Sequence, residues 1–264
     1  MTAFRGELVR LFATRLPWWT LLAAVLCGGG LSGLLAITGP ENATPPMPGI
    51  DTPEGAGIVV GLGAVTLFVP ALIGTIAVTS EYRHRTIGTT FLAVPHRGRV
   101  LGAKLAVYAL LGILYGIVAS ISSGLVLVGA AAARGIELGT PMGELLTVLA
   151  QLAVASAVYM VLGVGIGAIA RHQLLAIGAV LGYFYFLEYV LMLIPGVNAL
   201  YPFLPGGATA SLTRFTFLTD ALAEQTAGGA AALASPVLGA VILVGYALVA
   251  AAIAVWLPLR RDLA

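Results

Sequence analysis

Charged side chains are scarce in this chain of 264 residues, and their scarcity excludes a water-soluble globular protein. Only 9% of the residues are charged, whereas 59% are hydrophobic. A typical soluble domain carries about 25% charged residues. The chain has too few polar side chains to cover a surface that faces water. We therefore expect lipid to be its solvent and the protein to be polytopic.

Cysteine and lysine each occur once, as Cys27 and Lys104. A single cysteine excludes an intrachain disulfide, and within an apolar run it is expected to be a small buried side chain. The phosphate loop GxxxxGK[ST] needs a lysine, but the sequence around Lys104, RVLGAKLAV, does not match it. The chain therefore lacks this nucleotide-binding motif.

Motifs of hydrolytic and metal chemistry are also missing. Neither HExxH nor GxSxG occurs, and the three histidines are scattered in sequence, at His84, His96 and His172. We therefore predict no catalytic residues, no metal ligands and no cofactor on this chain. Nucleic acid is not among the expected partners.

Six apolar segments are long enough to cross a membrane, which takes about 20 helical residues. The predicted spans are 18–38, 57–80, 103–132, 143–170, 173–194 and 236–257. Tryptophans near the two outermost span ends, Trp18, Trp19 and Trp256, are typical of the aromatic belt at a membrane surface. The predicted fold class is an all-α polytopic membrane protein, with residues 1–264 forming a single transmembrane domain.

Loop charges predict the orientation of the six spans. Of the 13 basic residues, 11 lie on the side that carries the N-terminus, the loop 81–102, Arg171 and the C-terminus, and only Arg134 and Arg214 lie on the other. Cytoplasmic loops are enriched in arginine and lysine, so both termini are predicted to be cytoplasmic. The composition, rich in Ala, Gly, Leu, Val and Arg, is associated with GC-rich bacteria. The predicted location is thus the bacterial cytoplasmic membrane.

The N-terminal segment 1–17 is predicted to be a helix. No cleavable signal peptide is evident, so the first span is expected to remain as an anchor. Helical spacing places Glu7, Arg10 and Thr14 on one side of 1–17. The apolar residues recur on the other side, namely Phe4, Leu8, Leu11, Phe12 and Leu16. This pattern favours an interfacial helix lying on the membrane. The alternative is a cytosolic extension of the first span.

The connection 195–235 mixes apolar residues with proline and glycine. One interpretation is a broken helical segment partly inserted in the membrane, where irregular backbone is tolerated only inside protein or beside a cavity. The other is a surface loop that contains a short amphipathic helix.

Glu188 is the one acidic residue well inside a predicted span, since Glu144 is only the second residue of the fourth span. A charge at this depth is costly and marks a functional-site candidate. Nearby aromatic residues, Tyr183, Tyr185 and Tyr189, can donate hydrogen bonds to it or line a cavity, so all four residues are candidates for a substrate path. The alternative is a structural hydrogen bond at a helix or dimer interface.

The stretch Glu81–Lys104 is the only long polar segment between two long apolar spans, and it holds five of the basic residues. Its short apolar stretch FLAVP, flanked by basic residues, suits insertion into a groove of another protein. On charge alone, a positively charged loop that contacts anionic lipid headgroups is the favoured interpretation.

The residue pattern of this stretch resembles the cytoplasmic loop of ABC-2 type transporter permeases. The matching positions are Glu81, Tyr82, Arg83, His84, Thr86, Ile87, Thr90, Phe91, Leu92, Pro95, Arg97, Val100 and Lys104. Arg85 stands where the family usually has glycine, and Phe91 where leucine is common. The wider resemblance covers the chain, with an N-terminal interfacial helix, six spans and a broken segment before the last.

The resemblance implies a permease half that pairs with a second permease, identical or different, and with two cytosolic ATPase subunits that bind ATP and Mg²⁺. It implies a coupling helix at about Arg85–Pro95 that docks in the ATPase. Residues expected to take part in this docking are Glu81, Tyr82, Arg83, Arg85, Thr86, Phe91, Leu92, Pro95 and Arg97. The implied cargo is hydrophobic or amphipathic (a drug, lipid or peptide-like molecule), moved outward.

Two functions of other classes remain open from the sequence. A membrane-embedded enzyme would use Glu188 with its neighbouring tyrosines, although one acid without a catalytic partner is a poor set. A non-transporting membrane scaffold or sensor subunit would need no chemistry at all.

Overall fold

The computed structural model describes residues 3–84, 97–170, 172–225 and 232–256, and within these ranges the chain is helical with no strand. Six helical stretches are long and apolar enough to cross a membrane. The predictions of an all-α fold and of six spans are therefore confirmed at this level. Helices are the expected solution, because a backbone surrounded by lipid must satisfy its own hydrogen bonds.

The helices follow one another in the order of the predicted spans. Helix α1 is Ala3–Phe12, and the first span comprises α2 (Leu16–Val25), a π-helical turn (Leu26–Gly30) and α3 (Leu31–Thr38). The second span comprises α4 (Pro53–Val65) and α5 (Phe68–Arg83), the third is α6 (Arg97–Arg134), and the fourth is α7 (Met142–Ile169). The fifth comprises α8 (Gln173–Leu181), a π-helical stretch (Gly182–Leu187) and α9 (Glu188–Leu193). A 3₁₀ turn (Asn198–Phe203), α10 (Pro205–Thr213) and α11 (Phe217–Gln225) precede the sixth span, α12 (Pro236–Trp256).

Helix α7 lies at the centre of the bundle, with most of its surface buried against α5, α6 and α12. Glycines permit the close approach. A Cβ atom on Gly163 would overlap the carbonyl oxygen of Ala71 on α5. At the same crossing, Thr75 Oγ1 donates hydrogen bonds to Ala71 O (2.8 Å) and Gly163 O (3.0 Å). Small residues and a shared hydroxyl are the typical means of joining helices in lipid.

The second span is interrupted at Thr66 and Leu67, one turn before Pro70. Proline has no N–H to donate to the carbonyl four residues earlier, and its ring crowds that carbonyl. The Thr66 carbonyl is satisfied instead by the N–H of Val69, at 2.9 Å. The break therefore follows from Pro70 and leaves no orphaned carbonyl there.

Helix α6 begins at Arg97, six residues before the predicted start of the third span, and ends at Arg134. Its 38 residues span about 57 Å at about 1.5 Å per residue. This length exceeds a hydrocarbon core of about 30 Å. Hydropathy detects only the apolar part, so the polar first turns of α6 were assigned to the loop.

Helix α1 packs along α6 with Glu7 and Leu11 as its buried residues. Phe12, expected on the apolar face, has 71% of its surface exposed. Glu7, expected on the polar face, is only 6% exposed. The face of α1 that touches protein is therefore centred on an acid, because this acid finds basic partners.

Helix α10 is buried along almost its whole length. It packs against α12, where Gly239 lies close to the Ala208 carbonyl, and against α7. The helix ends at Arg214, whose backbone is left-handed (φ 56°). This turn brings the N–H of Phe215 to the carbonyl of Ala210 (3.1 Å) and directs Phe215 into the protein.

Candidate functional site

Lys104 forms the centre of a buried ion cluster. Its side chain is almost fully enclosed, with 2% of the residue exposed. Its Nζ atom donates hydrogen bonds to Glu7 Oε2 at 2.8 Å and to Glu81 Oε1 at 2.5 Å. The two glutamates are themselves buried. A lone buried charge is very costly, so each of these groups depends on the others.

Arg10 completes the charge balance. Its NH1 atom lies 2.9 Å from Glu81 Oε1 and 3.7 Å from Glu7 Oε1. Two carboxylates and two cations therefore share one site, which is neutral overall. The ring of Tyr108 lies 5.7 Å from Lys104 Nζ and adds a cation–π contact.

Three helices supply this ion cluster. Glu7 and Arg10 are three residues apart on α1 and so share a face. Glu81 lies in the last turn of α5, and Lys104 lies in the first turns of α6. The cluster consequently ties α1 to both helices that border segment 85–96. The sequence pattern had singled out Glu81 and Lys104, but it gave no signal for Glu7, because the lysine that Glu7 binds lies 97 residues away.

The other predicted docking residues are described only in part. Tyr82 is half-buried and packs against the core around α1, α5 and α6. Arg83 is exposed, and its NH1 atom donates to Gln173 Oε1 at 3.3 Å. Arg97 begins α6, but its side chain is not described. Residues Arg85, Thr86, Phe91, Leu92 and Pro95 lie outside the described residues.

A second site, which we call the Glu188 cavity, lies between the second, fourth and fifth spans and α10. Its volume is about 50 Å³. Aromatic side chains dominate the walls, namely Phe68, Tyr159, Phe184, Tyr185, Tyr189 and Tyr201. Several hold one another in place: the rings of Phe68 and Tyr185 meet edge to face at 4.7 Å, and those of Tyr159 and Phe184 lie 5.0 Å apart.

Glu188 is 4% exposed and faces this cavity. Its Oε2 atom accepts a hydrogen bond from the N–H of Gly206 at 2.9 Å, in the first turn of α10. A carboxylate is favourable there because the first N–H groups of a helix have no partner within the helix. This bond fastens the fifth span to α10.

The other carboxylate atom, Oε1, is buried and has no hydrogen-bond partner within the described part of the chain. Tyr183 comes near the carboxyl group, without the distance and angle of a hydrogen bond to Oε1. An unsatisfied buried carboxylate oxygen is uncommon and calls for a partner. The wall of the Glu188 cavity therefore contains a buried carboxyl oxygen that has no hydrogen-bond partner among the described residues.

Hydroxyl groups from other elements complete the polar lining of the cavity. Thr209 Oγ1 donates to the Tyr159 hydroxyl at 3.3 Å. Burial, followed by the nearby Glu188 charge, raises the pKa of Tyr201. Its hydroxyl is therefore protonated at neutral pH. The cavity thus combines hydroxyl groups with a single acid.

The structure brings Glu188, Tyr185 and Tyr189 together in one cavity wall, and it places Tyr183 next to the carboxyl group. Their role in a substrate path stays a prediction. Tyr159, Tyr201 and Gly206 had no signal in the sequence, because each belongs to an element remote from Glu188 and looks like ordinary packing there.

A larger groove, of about 940 Å³, opens beside the Glu188 cavity at the end of the bundle that carries the loop between α3 and α4. We call it the outer groove. Its lining includes Glu54, Arg214 and Asp220. Phe215 belongs to the walls of both the groove and the cavity. The described residues contain no group of three or more His, Cys, Asp or Glu that could hold a metal ion.

No protein-family model and no curated protein matches this chain.

Proposed function

We propose that this chain is the permease subunit of an ABC-2 type ABC transporter, a multi-pass protein of the bacterial cytoplasmic membrane. It pairs with a second permease, identical or different, and with two cytosolic ATPase subunits. ATP hydrolysis on those subunits moves a hydrophobic or amphipathic substrate, in the direction of export. In this proposal α1 is the interfacial helix, both termini are cytoplasmic, and segment 85–96 contains the coupling helix.

The ion cluster is the observation that carries the proposal. A coupling segment transmits force only if both of its ends are attached firmly to the membrane helices. Glu81 on α5 and Lys104 on α6 lie on either side of segment 85–96 and are joined at 2.5 Å. Glu7 adds α1 to the same junction, at 2.8 Å. Displacement of the segment by an ATPase would therefore move the three helices together.

The path from this junction into the bundle is short. Helix α5 carries Glu81 at one end and meets the central helix α7 at the Thr75–Gly163 crossing. That crossing lies six residues from Glu81, about 9 Å along the helix at about 1.5 Å per residue. Packed helices move as bistable units and do not bend continuously. A shift of α5 would thus reach α7 and the Glu188 cavity behind it.

The exposed apolar faces of the bundle can contact a protein partner in the membrane as well as lipid. The fifth and sixth spans are the least buried of the six. Their outward side chains include Leu174, Phe186, Val237 and Leu248, each more than 60% exposed. In the proposal, a second permease covers part of these faces and lipid covers the rest.

An enzyme is the weaker candidate. The Glu188 cavity offers one carboxylate and four tyrosines, without a second acid, a histidine or a nucleophile paired with a base. General acid–base or nucleophilic catalysis needs such a pair within hydrogen-bond reach. Transport requires only that the cavity bind a group of the substrate and that its opening change from one side of the membrane to the other.

Co-purification tests the proposal. The chain is expressed with the ATP-binding subunit encoded beside it and purified in a mild detergent, and the two proteins are expected to elute together. Replacement of residues 86–92 by a Gly/Ser linker of equal length should abolish the complex, while membrane insertion is retained. The same kind of linker in place of residues 43–49, at the opposite end of the bundle, is the matched control.

Two results would contradict the proposal. One is a chain that never associates with an ATP-binding subunit. The other is an ATPase that binds equally well to the variant with the 86–92 linker, because the docking assignment would then be wrong. If the complex forms, Glu81→Gln should lower transport per ATP hydrolysed in proteoliposomes, since the coupling segment would lose part of its anchor.

A further inference from the structure

We propose that the Glu188 cavity binds a primary ammonium group, and that the amines or aminolipids which carry such a group are the substrate class of this protein. The assignment as a substrate site depends on the proposed transport function. The assignment as a binding site does not, because it follows from the geometry and chemistry of the cavity alone.

The vacant carboxylate oxygen determines the sign of the ligand. Glu188 Oε1 is buried and unpartnered among the described residues, whereas Oε2 is held by the Gly206 N–H. An anion would be repelled by the carboxylate. An ammonium group, with three N–H donors and no acceptor, would satisfy Oε1 and place its remaining donors on neighbouring hydroxyl oxygens.

The aromatic walls favour the same ligand. A cation is attracted to the face of an aromatic ring when it lies within about 6 Å of the ring centre. Tyr185, Tyr189 and Tyr201 line a cavity of only about 50 Å³, so a bound cation lies close to several rings. The rings also exclude water, which strengthens the interaction with Glu188.

Hydrogen bonding selects among cations. The cavity of about 50 Å³ admits a terminal CH₂–NH₃⁺ group, since about 10–15 Å³ is already enough for a water molecule. A trimethylammonium group has no N–H to donate and would leave Oε1 unsatisfied. Because the cavity is small, the rest of an amphipathic amine must extend out of it.

The outer groove supplies the space for that remainder. Phe215 lines both the groove and the cavity and is itself buried. Its ring lies directly against Gly61, where a Cβ atom would overlap it. Two acids and one arginine, Glu54, Asp220 and Arg214, give the groove lining a net negative charge, which attracts cations. Rotation of the Phe215 ring would join the two spaces.

The binding experiment uses the purified full chain in an uncharged detergent, without the ATPase. Calorimetric titration at pH 7 compares hexylammonium chloride with 1-hexanol, which has the same chain and no charge, and with hexyltrimethylammonium. Hexylammonium is expected to bind, and the other two are expected to bind at least about tenfold more weakly, as for the loss of a charged hydrogen bond.

Variants connect the binding to the carboxylate. Glu188→Gln should weaken hexylammonium binding about tenfold or more. Gly206→Ala should do the same while keeping the carboxylate, because its Cβ would overlap Oε2 and displace the side chain. Gly178→Ala is the matched control. Gly178 lies in the fifth span, as Glu188 does, and an added Cβ would meet open space, so this substitution should leave binding unchanged. Thermal melting of each variant establishes that it is folded.

Competition identifies the source of the ammonium group. Displacement of hexylammonium by dihexanoyl phosphatidylethanolamine, but not by its choline counterpart, supports an aminolipid headgroup. Displacement by neither lipid supports a free amine. If sodium chloride displaces hexylammonium as effectively as ammonium chloride does, the proposal is overturned, because the site would then accept any small cation.

Equal binding of 1-hexanol and hexylammonium would also overturn the proposal, as would unchanged affinity in folded Glu188→Gln and Gly206→Ala. These results leave the permease assignment intact, because association with the ATPase is measured separately. Conversely, a chain that binds hexylammonium and never associates with an ATPase would keep the binding site and lose the transport function.

Discussion

Replacement of Lys104 by methionine is expected to destabilise the protein strongly. Methionine keeps an unbranched side chain, one heavy atom shorter than that of lysine, and removes the charge. The change leaves Glu7 and Glu81 buried, with the partly exposed Arg10 as the remaining cation of the cluster. Two carboxylates of the same sign would then share one enclosed site.

The expected magnitude follows from the two hydrogen bonds that disappear, at 2.8 and 2.5 Å. Each charge-assisted bond contributes about 1.5–3 kcal/mol, and Arg10 offsets part of the loss. Removal of one partner from a buried ion pair costs about 3–5 kcal/mol, which agrees with this sum. At about 2–4 °C per kcal/mol for a chain of this size, the melting temperature should fall by about 6–20 °C.

The assay is thermal unfolding of the detergent-purified protein, followed by the intrinsic fluorescence of its tryptophans. Arg99→Met is the matched control, because Arg99 lies on the same helix and is exposed. Its melting temperature should change by no more than about 2 °C, since exposed charges contribute about 1 kcal/mol or less.

A rescue variant separates charge from packing. In Glu7→Gln/Glu81→Gln/Lys104→Met, the carboxylates and the ammonium group are all absent, and neutral replacements of a buried ion set are often nearly neutral for stability. This triple variant should therefore melt at a higher temperature than Lys104→Met alone. A Lys104→Met protein that melts within about 2 °C of the original chain would refute the reasoning, because the cluster would then not be a buried network.

Two further predictions concern packing and the loop after α3. Gly163→Ala should lower the free energy of unfolding by about 1–3 kcal/mol, because its Cβ would overpack against Ala71. In the same thermal-melting assay, the control Gly178→Ala should be neutral or stabilising by up to about 1 kcal/mol. Equal effects of the two substitutions would contradict the assigned helix crossing. The pKa of Glu41 is lowered by a hydrogen bond from its own backbone and by Arg134, so its contribution to stability is present above the ordinary pKa and is lost as the pH falls through the lowered value. Glu41→Gln should thus speed hydrogen exchange in this loop at pH 7, and the difference should diminish as the pH falls below the ordinary pKa of 4.5. Equal exchange in both proteins at pH 7 would count against the ion pair.

Much of the architecture was predictable because lipid permits few solutions. Long apolar runs must become helices in a bilayer, so hydropathy alone located six spans. Helix ends were less predictable. Helix α6 begins at Arg97 because polar residues continue the helix beyond its apolar part. The second span is broken one turn before Pro70, because proline has no N–H to donate to the carbonyl of that turn.

Glu188 shows how far a local signal extends. An acid within an apolar span was recognisable as a candidate, and so were the tyrosines beside it. Its actual partner, the N–H of Gly206, belongs to a helix that begins 17 residues later in the chain. The opposite cavity wall comes from Tyr159 on α7. No sequence pattern specifies that these elements meet.

By itself, the sequence determined the solvent of this protein, its helical class, and the polar loop whose pattern resembles a permease coupling segment, because composition and periodicity act locally. The tertiary structure alone decided that Glu7 pairs with Lys104, that one oxygen of Glu188 has no hydrogen-bond partner among the described residues, and that Phe215 lines both the cavity and the groove. The physical reason is that a buried charge is tolerated only where distant elements bring it a partner, and that meeting is fixed by packing.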